Sequence, residues 1–178
     1  MKAFDIILIL IIIGGSLGII YAIYYNKLSY YKTRIEKSES IIDENLRKKY
    51  DLICEIGIEV KKKTKKDYLK EYIELKEKRI SNFELDRELI EGVNLIRELI
   101  GDNSKLNNKE VNSKLKEIEK IDIEIESGRN FYNKNNTELN SIIRKFPSNI
   151  VAKIHRYKIA PYFDGKNMQD AVVDDFKL

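Results

Sequence analysis

Few side chains in this 178-residue chain have the chemistry to react or to hold a metal. There is one cysteine, Cys54, and one histidine, His155, which lies among lysines and arginines. A lone histidine excludes a multi-histidine metal site, and a lone cysteine excludes an internal disulfide framework. The chain also lacks a nucleophile elbow, a glycine-rich phosphate loop and the CxxC and HExxH patterns. We therefore predict no catalytic residue, no cofactor site and no metal site, and we expect His155 to be a surface residue.

The composition narrows the functional classes further. Lysine and arginine number 33 against 29 acidic residues, so the net charge is only +4. A dedicated nucleic-acid binder would carry a large basic excess, so we expect no nucleic-acid partner. With 43% hydrophobic residues and only 2 prolines, the chain is typical of a helical protein rather than a disordered or all-β one. A non-enzyme is favoured, and an enzyme with an unrecognised site remains the alternative.

A membrane helix is predicted near the start of the chain. Residues 6–26 contain no charged side chain and follow a short tail, residues 1–5. A helix of that length spans roughly 30 Å, the thickness of the hydrocarbon core. The apolar run is longer than a signal peptide's, and no small-residue cleavage site follows it. An uncleaved single-pass anchor in the lipid bilayer of the cell membrane is therefore expected.

The predicted span carries a candidate helix-packing pattern and a cluster of tyrosines at one end. Gly14 and Gly18 form a G-x-x-x-G pattern that lets two helices approach closely, so self-association into a homo-oligomer is one hypothesis. The bland alternative is that glycine is simply common in membrane helices. Five tyrosines cluster where the helix leaves the bilayer, as in an interfacial aromatic belt: Tyr21, Tyr24, Tyr25, Tyr30 and Tyr31.

Flanking charge predicts the orientation. The N-terminal side offers Lys2, whereas the C-terminal side carries Lys27, Lys32, Arg34 and Lys37 within a short distance. The positive-inside rule places the more basic side in the cytoplasm. We expect the N-terminus outside and the remaining domain inside.

The rest of the chain reads as helix. Apolar residues recur at steps of three and four from 28 to 60, from 68 to 99 and from about 108 to 143, with a shorter helix predicted over 150–157. The lysine-rich run 61–66 and the turn-forming residues 101–104 separate the long helices. Asn107 or Asn108 is expected to cap the third helix.

These elements predict an all-α fold. It consists of the N-terminal transmembrane helix followed by an antiparallel bundle of three long helices plus a short C-terminal helix, within residues 27–163. A long continuous coiled coil is the alternative, and the breaks between the helices favour folding back. Residues 164–178 form a polar C-terminal tail.

Two motifs resemble the signatures of LemA family proteins. The first lies in the first helix and the second lies late in the third: Ile42, Asp43, Leu46, Lys48, Lys49, Asp51, Leu52 and Ile53; then Arg129, Tyr132, Asn133, Asn140, Phe146 and Pro147. The sequence departs from the family pattern at Cys54, where the family usually has proline. The resemblance implies a membrane-anchored helical bundle, widespread in bacteria, with no established catalytic activity.

The motif residues have two readings. Asp43, Arg47 and Asp51 are spaced for i,i+4 ion pairs, which favours a solvated face that includes Lys48 and Lys49; a binding site is the alternative. For Arg129, Tyr132 and Asn133, the favoured interpretation is hydrogen bonding across to the first helix, which would fix the register of the bundle; a ligand-binding role is the alternative.

An anchor joined to a helical domain without recognisable chemistry predicts an interaction protein. We expect a non-catalytic scaffold or adaptor for an unknown membrane or cytosolic protein partner. The alternative is an envelope sensor or regulator that couples a membrane signal to a protease or transporter.

Overall fold

The computed structural model describes residues 3–78 and 80–163, and in that part of the chain all regular structure is helical. The elements are α1 (Ala3–Thr64), α2 (Lys70–Ile73) with a 3₁₀ turn at Glu74–Glu77, α3 (Asn82–Asp102), α4 (Lys109–Arg144) and α5 (Ser148–Ile154). The predicted all-α class is confirmed. The tail predicted at residues 164–178 lies outside the described residues.

The longest helix joins the apolar run to the first motif. α1 covers 62 residues without a break, so the predicted span continues directly into the following helix. A window in its N-terminal part has a mean hydropathy of 2.8 and no buried residue, which makes it long and apolar enough to cross a membrane. The helix ends at Thr64 inside the lysine-rich run, where Lys65 adopts a left-handed φ of 57°.

The single second helix predicted over 68–99 is wrong. The chain forms only one turn of α2 and a 3₁₀ turn before it becomes extended at Lys78, and α3 then begins at Asn82. The cause is a capping box: Ser81 Oγ accepts from the Glu84 N–H, and the Glu84 carboxylate accepts from the Ser81 N–H at 2.9 Å. Such a box starts a new helix, because it satisfies backbone N–H groups that have no partner in a first turn.

The predicted ends of the later helices agree more closely with the structure. Asn108 caps α4 through its side-chain oxygen, which accepts from the N–H groups of Glu110 (3.0 Å) and Val111 (3.2 Å). The helix stops at Arg144, before Phe146–Pro147, as the proline predicts. α5 starts at Ser148 and ends at Ile154, so it lies slightly earlier than expected.

The chain divides into two compact units. Residues 38–130 form one, which we call the ion-cluster unit; the described residues of 1–37 and 131–178 form the other, which we call the anchor unit. Because α1 and α4 cross the division, each helix contributes to both units.

Helix direction within the ion-cluster unit follows from paired contacts. Lys49 bonds to Asp122 and Glu55 pairs with Lys114, so α1 and α4 run antiparallel there. Along α4, Glu119 pairs with Arg97 of α3, whereas Arg129 bonds to the earlier α3 residue Asp86.

These pairs correct one feature of the predicted bundle. Since α3 and α1 are both antiparallel to α4 in this unit, α3 runs parallel to α1, and the three long helices do not alternate in direction as predicted. Because α1 and α3 run in the same direction, the chain between them must run back along the unit. The segment formed by α2 and the 3₁₀ turn does so, and it packs against α1, where the Tyr50 hydroxyl donates to the Ile73 carbonyl. Buried aliphatic side chains fill the space between these helices: Leu46, Ile53, Ile56, Leu89, Ile96, Ile118 and Ile125.

Candidate functional site

The first motif splits into a buried set and an exposed set. Ile42, Leu46 and Ile53 are fully buried and form part of the hydrophobic core. Leu52 is half-buried, whereas Asp51 is exposed. Because the motif occupies a single straight helix, its three aliphatic residues share the face that packs inward.

The two adjacent motif lysines lie in opposite environments. The Lys48 side chain is 55% exposed and pairs with Glu44 one turn away at 2.8 Å. The Lys49 side chain is only 1% exposed. Thus the predicted solvated face holds for Lys48 and is wrong for Lys49, because Lys49 lies on the inward face, three residues after Leu46.

Lys49 belongs to a cluster of four charged side chains, which we call the ion cluster. Its Nζ lies 2.6 Å from Asp122 Oδ1 on α4 and 3.8 Å from Asp86 Oδ1 on α3. The second carboxylate oxygen of Asp86 accepts from Arg129 Nη2 at 2.8 Å. The first motif and the second motif therefore meet on one carboxylate.

The ion cluster is balanced in charge and unequal in burial. Asp86 and Lys49 are 5% and 1% exposed in their side chains, whereas Asp122 and Arg129 are 40% and 32% exposed. Burial raises the pKa of Asp86, and the nearby Arg129 and Lys49 charges oppose that shift in part. A buried charge is tolerated when it is paired and hydrogen-bonded, so this arrangement fixes three helices against one another.

The two acids of this cluster are marked only weakly by the sequence pattern around them. Asp86 lies on the inward face of α3, in register with Leu89, Val93 and Ile96. An acid on an apolar stripe requires a buried cationic partner, and this pattern could have suggested one. Asp122 likewise lies in register with buried residues of α4, four positions after Ile118 and three before Ile125.

The exposed polar residues of the first motif line a groove of about 420 Å³. Asp43 and Asp51 border it together with Arg47 and Tyr50 of α1. Residues from the 3₁₀ turn to the first turn of α3 form its other wall: Leu75, Lys76, Lys78, Ile80, Asn82 and Leu85. The predicted i,i+4 pair between Arg47 and Asp43 is present at 2.9 Å. The corresponding pair of Arg47 with Asp51 is not among the ion pairs of the described residues.

The second motif holds an extended segment of the anchor unit. Asn140 exchanges two hydrogen bonds with the backbone of Ala160, at 3.0 Å and 3.1 Å. Asn136 donates to the carbonyls of Ala160 and Pro161, and Asn133 accepts from the Phe163 N–H at 2.9 Å. We call these three asparagines, spaced by three and four residues along α4, the asparagine ladder.

These bonds differ from the contacts predicted for the second motif. The sequence predicts that Arg129, Tyr132 and Asn133 reach the first helix. Arg129 instead bonds to α3, the Tyr132 hydroxyl donates to the Pro161 carbonyl at 3.1 Å, and Asn133 bonds to Phe163. The segment after α5 needs partners for its backbone groups, since it belongs to no helix, and the amides supply them.

The other predicted residues lie on the surface. Phe146 is 79% exposed, and Pro147 occupies the cap position before α5. Gly14 and Gly18 have no other side chain within 4 Å of the place where a Cβ would stand. Asn136, which the motif did not include, is fully buried, and its spacing from Asn133 and Asn140 was the available signal.

Comparison with known proteins places both motifs in one family. A family model described as the LemA family matches residues 38–176, which is most of the chain. No curated protein and no solved structure matches significantly.

Proposed function

We propose that this chain, which belongs to the LemA family, is a non-catalytic scaffold or adaptor that holds a protein partner at the bacterial membrane. The observation that carries the proposal is the continuity of α1. One helix includes both the apolar N-terminal run and the first motif, so a partner bound beside that motif is tied to the anchor.

The partner surface we infer is the groove beside Asp43 and Asp51. The motif's buried residues are engaged inside the ion-cluster unit, whereas Asp51 is exposed and Asp43 is half-exposed at the groove. The groove also offers cations, a tyrosine and aliphatic edges, the mixture that protein interfaces use. A protein segment with both charged and apolar side chains fits that chemistry.

Site-specific photocrosslinking tests this proposal in native membranes. A photoreactive residue replaces Arg47, whose side chain is 74% exposed at the groove, in the full-length chain. The matched control replaces Lys120, an exposed residue on α4 outside the groove. We expect a discrete adduct with a second protein at position 47 and none at position 120. Adducts at neither position, or equally at both, would contradict the assignment.

The proposal places the helical domain in the cytoplasm, on the strength of the basic residues that follow the apolar run. Trypsin tests this through the exposed turn at Lys65 and Lys66, where α1 ends. We expect cleavage there only after the cells are permeabilised. Cleavage in intact cells would reverse the orientation and direct the search to partners outside the cell.

Self-association through Gly14 and Gly18 is a separate part of the proposal. The open space around both residues permits close approach of a second helix. Cysteine-free full-length chains carrying one engineered cysteine at Leu10, one turn from Gly14 on the same face, should form disulfide-linked dimers in membranes. The same cysteine at Ile12, on the opposite face, should do so less. Equal yields at both positions would exclude a specific glycine interface.

A further inference from the structure

The segment around α5 is strongly basic although the whole chain is nearly balanced. Residues 139–163 contain no aspartate or glutamate and carry five cations: Arg144, Lys145, Lys153, Arg156 and Lys158. Among the described residues, no ion pair involves any of these five. Within residues 3–78 and 80–163, therefore, no ion pair neutralises the positive charge of this segment.

The end of α5 lies beside the tyrosines of the apolar run. His155 Nε2 is 2.6 Å from the Tyr21 hydroxyl, and its ring centroid is 4.7 Å from that of Tyr25. Both tyrosines belong to residues 6–26. If that run spans the bilayer, these contacts hold His155 at the depth of the aromatic belt, where the headgroups begin.

α5 and the turn before it also expose three large apolar side chains, which we call the apolar stripe. Phe146, Ile150 and Ile154 are 79%, 51% and 60% exposed, and each is four residues from the next. Ile150 and Ile154 lie one turn apart and share a face of α5, and Phe146 lies in the turn before the helix. Exposed apolar side chains on and beside a short helix, flanked by cations, are typical of an element that lies in a membrane interface.

A groove of about 430 Å³ lies next to the same segment. It is lined by the cations Lys32, Arg156 and Lys158, by Tyr25 and Tyr157, and by a single acid, Glu36. Glu36 already pairs with Lys32 at 3.7 Å, so the two cations after α5 dominate the charge of the groove. A groove of this size beside a membrane helix fits one phospholipid headgroup.

We infer that α5 and its flanks form an interfacial membrane-binding element, and that the groove at Arg156 and Lys158 holds the phosphate of an anionic phospholipid. The stripe of Phe146, Ile150 and Ile154 enters the boundary between headgroups and acyl chains. This inference rests on the membrane anchoring within the proposed function, and it is independent of any protein partner. The charge of the groove and its contact with the tyrosine belt select an anionic lipid.

The chain contains no tryptophan, so a single introduced tryptophan reports depth without background. We place it at Phe146 or, in a second variant, at Ile150. The control is Ile123→Trp, which is 67% exposed on the part of α4 in the ion-cluster unit. Each full-length variant is reconstituted in nanodiscs containing brominated phospholipid, either phosphatidylcholine alone or a mixture with phosphatidylglycerol.

We expect bromine to quench Phe146→Trp and Ile150→Trp several-fold more than Ile123→Trp, with stronger quenching when phosphatidylglycerol carries the bromine. The double substitution Arg156→Gln, Lys158→Gln should abolish that preference for phosphatidylglycerol and leave the helical circular dichroism unchanged. Quenching at 146 and 150 no greater than at 123 would overturn the interfacial element. An unchanged lipid preference in the double variant would overturn the headgroup site. Failure of the Ile123→Trp chain to enter nanodiscs would instead refute the anchor itself.

Discussion

The two units use different polar groups to hold distant parts of the chain together. In the ion-cluster unit, Lys49 and Arg129 converge on the buried carboxylate of Asp86. In the anchor unit, Asn136 and Asn140 bond neutral backbone groups of residues 160 and 161. Both arrangements tie distant parts of the chain together, and both include residues of the family motifs.

This difference in chemistry predicts that the ion cluster and the asparagine ladder differ in their sensitivity to substitution and to pH. Charges removed from water are costly unless they are paired, so loss of one member of the ion cluster strands its partners. Loss of a neutral amide leaves only uncharged backbone donors or acceptors without that partner. The ion cluster should therefore respond strongly to substitution and to pH, whereas the asparagine ladder should respond more weakly and locally.

The largest effect is expected at the adjacent lysines of the first motif. Lys49→Ala leaves Asp86 and Asp122 short of a cation and opens a cavity, so it should lower the free energy of unfolding by about 3–5 kcal/mol. Lys48→Ala should leave it nearly unchanged, because Lys48 is exposed and its pair with Glu44 is solvated. Urea unfolding of the full chain in detergent micelles, followed by circular dichroism, measures both. Equal losses of unfolding free energy in the two variants would show that burial does not determine the effect of removing a motif lysine.

The next effect concerns the asparagine ladder. Asn140→Ala removes both bonds to Ala160 and should cost about 1–3 kcal/mol, which releases the segment that follows α5. Chymotrypsin should then cleave after Tyr162 or Phe163 at least about tenfold faster than in the unaltered chain. The control is Asn112→Ala, an amide on α4 outside the ladder. An unchanged cleavage rate would show that the ladder does not hold this segment.

A smaller effect is expected from pH. Burial raises the pKa of Asp86 above its ordinary value of 3.8, so the folded state binds a proton more tightly than the unfolded state. The free energy of unfolding, relative to that of Asp86→Asn, should therefore fall as pH rises from about 3.8 through the raised value. Parallel urea titrations across this range test the sign, with Asp102→Asn as an exposed control. A difference that grows with pH would mean that the cations outweigh burial.

The smallest effect belongs to the solvated face of the first motif. Asp43→Asn breaks the exposed pair with Arg47 and should cost only about 0.3–0.5 kcal/mol. Added salt should remove most of that difference, since exposed charges are screened. A loss above about 1 kcal/mol in the urea assay would place Asp43 among the residues that hold the fold.

Apolar periodicity predicted where the helices lie better than it predicted which residues contact one another. The apolar spacing and Asn108 placed α4 correctly. The helix break before Asn82 was missed because the Ser81–Glu84 box interrupts an apolar pattern that otherwise continues. Lys49 was misplaced because charge patterning assigns a lysine to solvent, whereas its acids lie far away in sequence on α3 and α4.

The same limit applies to the asparagine ladder. The motif identified Asn133 and Asn140 as a pair, but their partner is backbone, and backbone carries no residue-specific signal in a sequence. Residues 160–163 contain no strong turn or helix pattern that would have assigned them to α4. Their position depends on the fold as a whole.

Hydrogen exchange of the full chain in detergent micelles tests most directly whether each motif holds its own region. Lys49→Met is expected to accelerate exchange in the first half of α3, around Asp86 and Leu89, and Asn140→Ala is expected to accelerate it at Ala160 and Phe163. Exchange at α3 that is unchanged by Lys49→Met, or accelerated equally by both variants, would contradict the account.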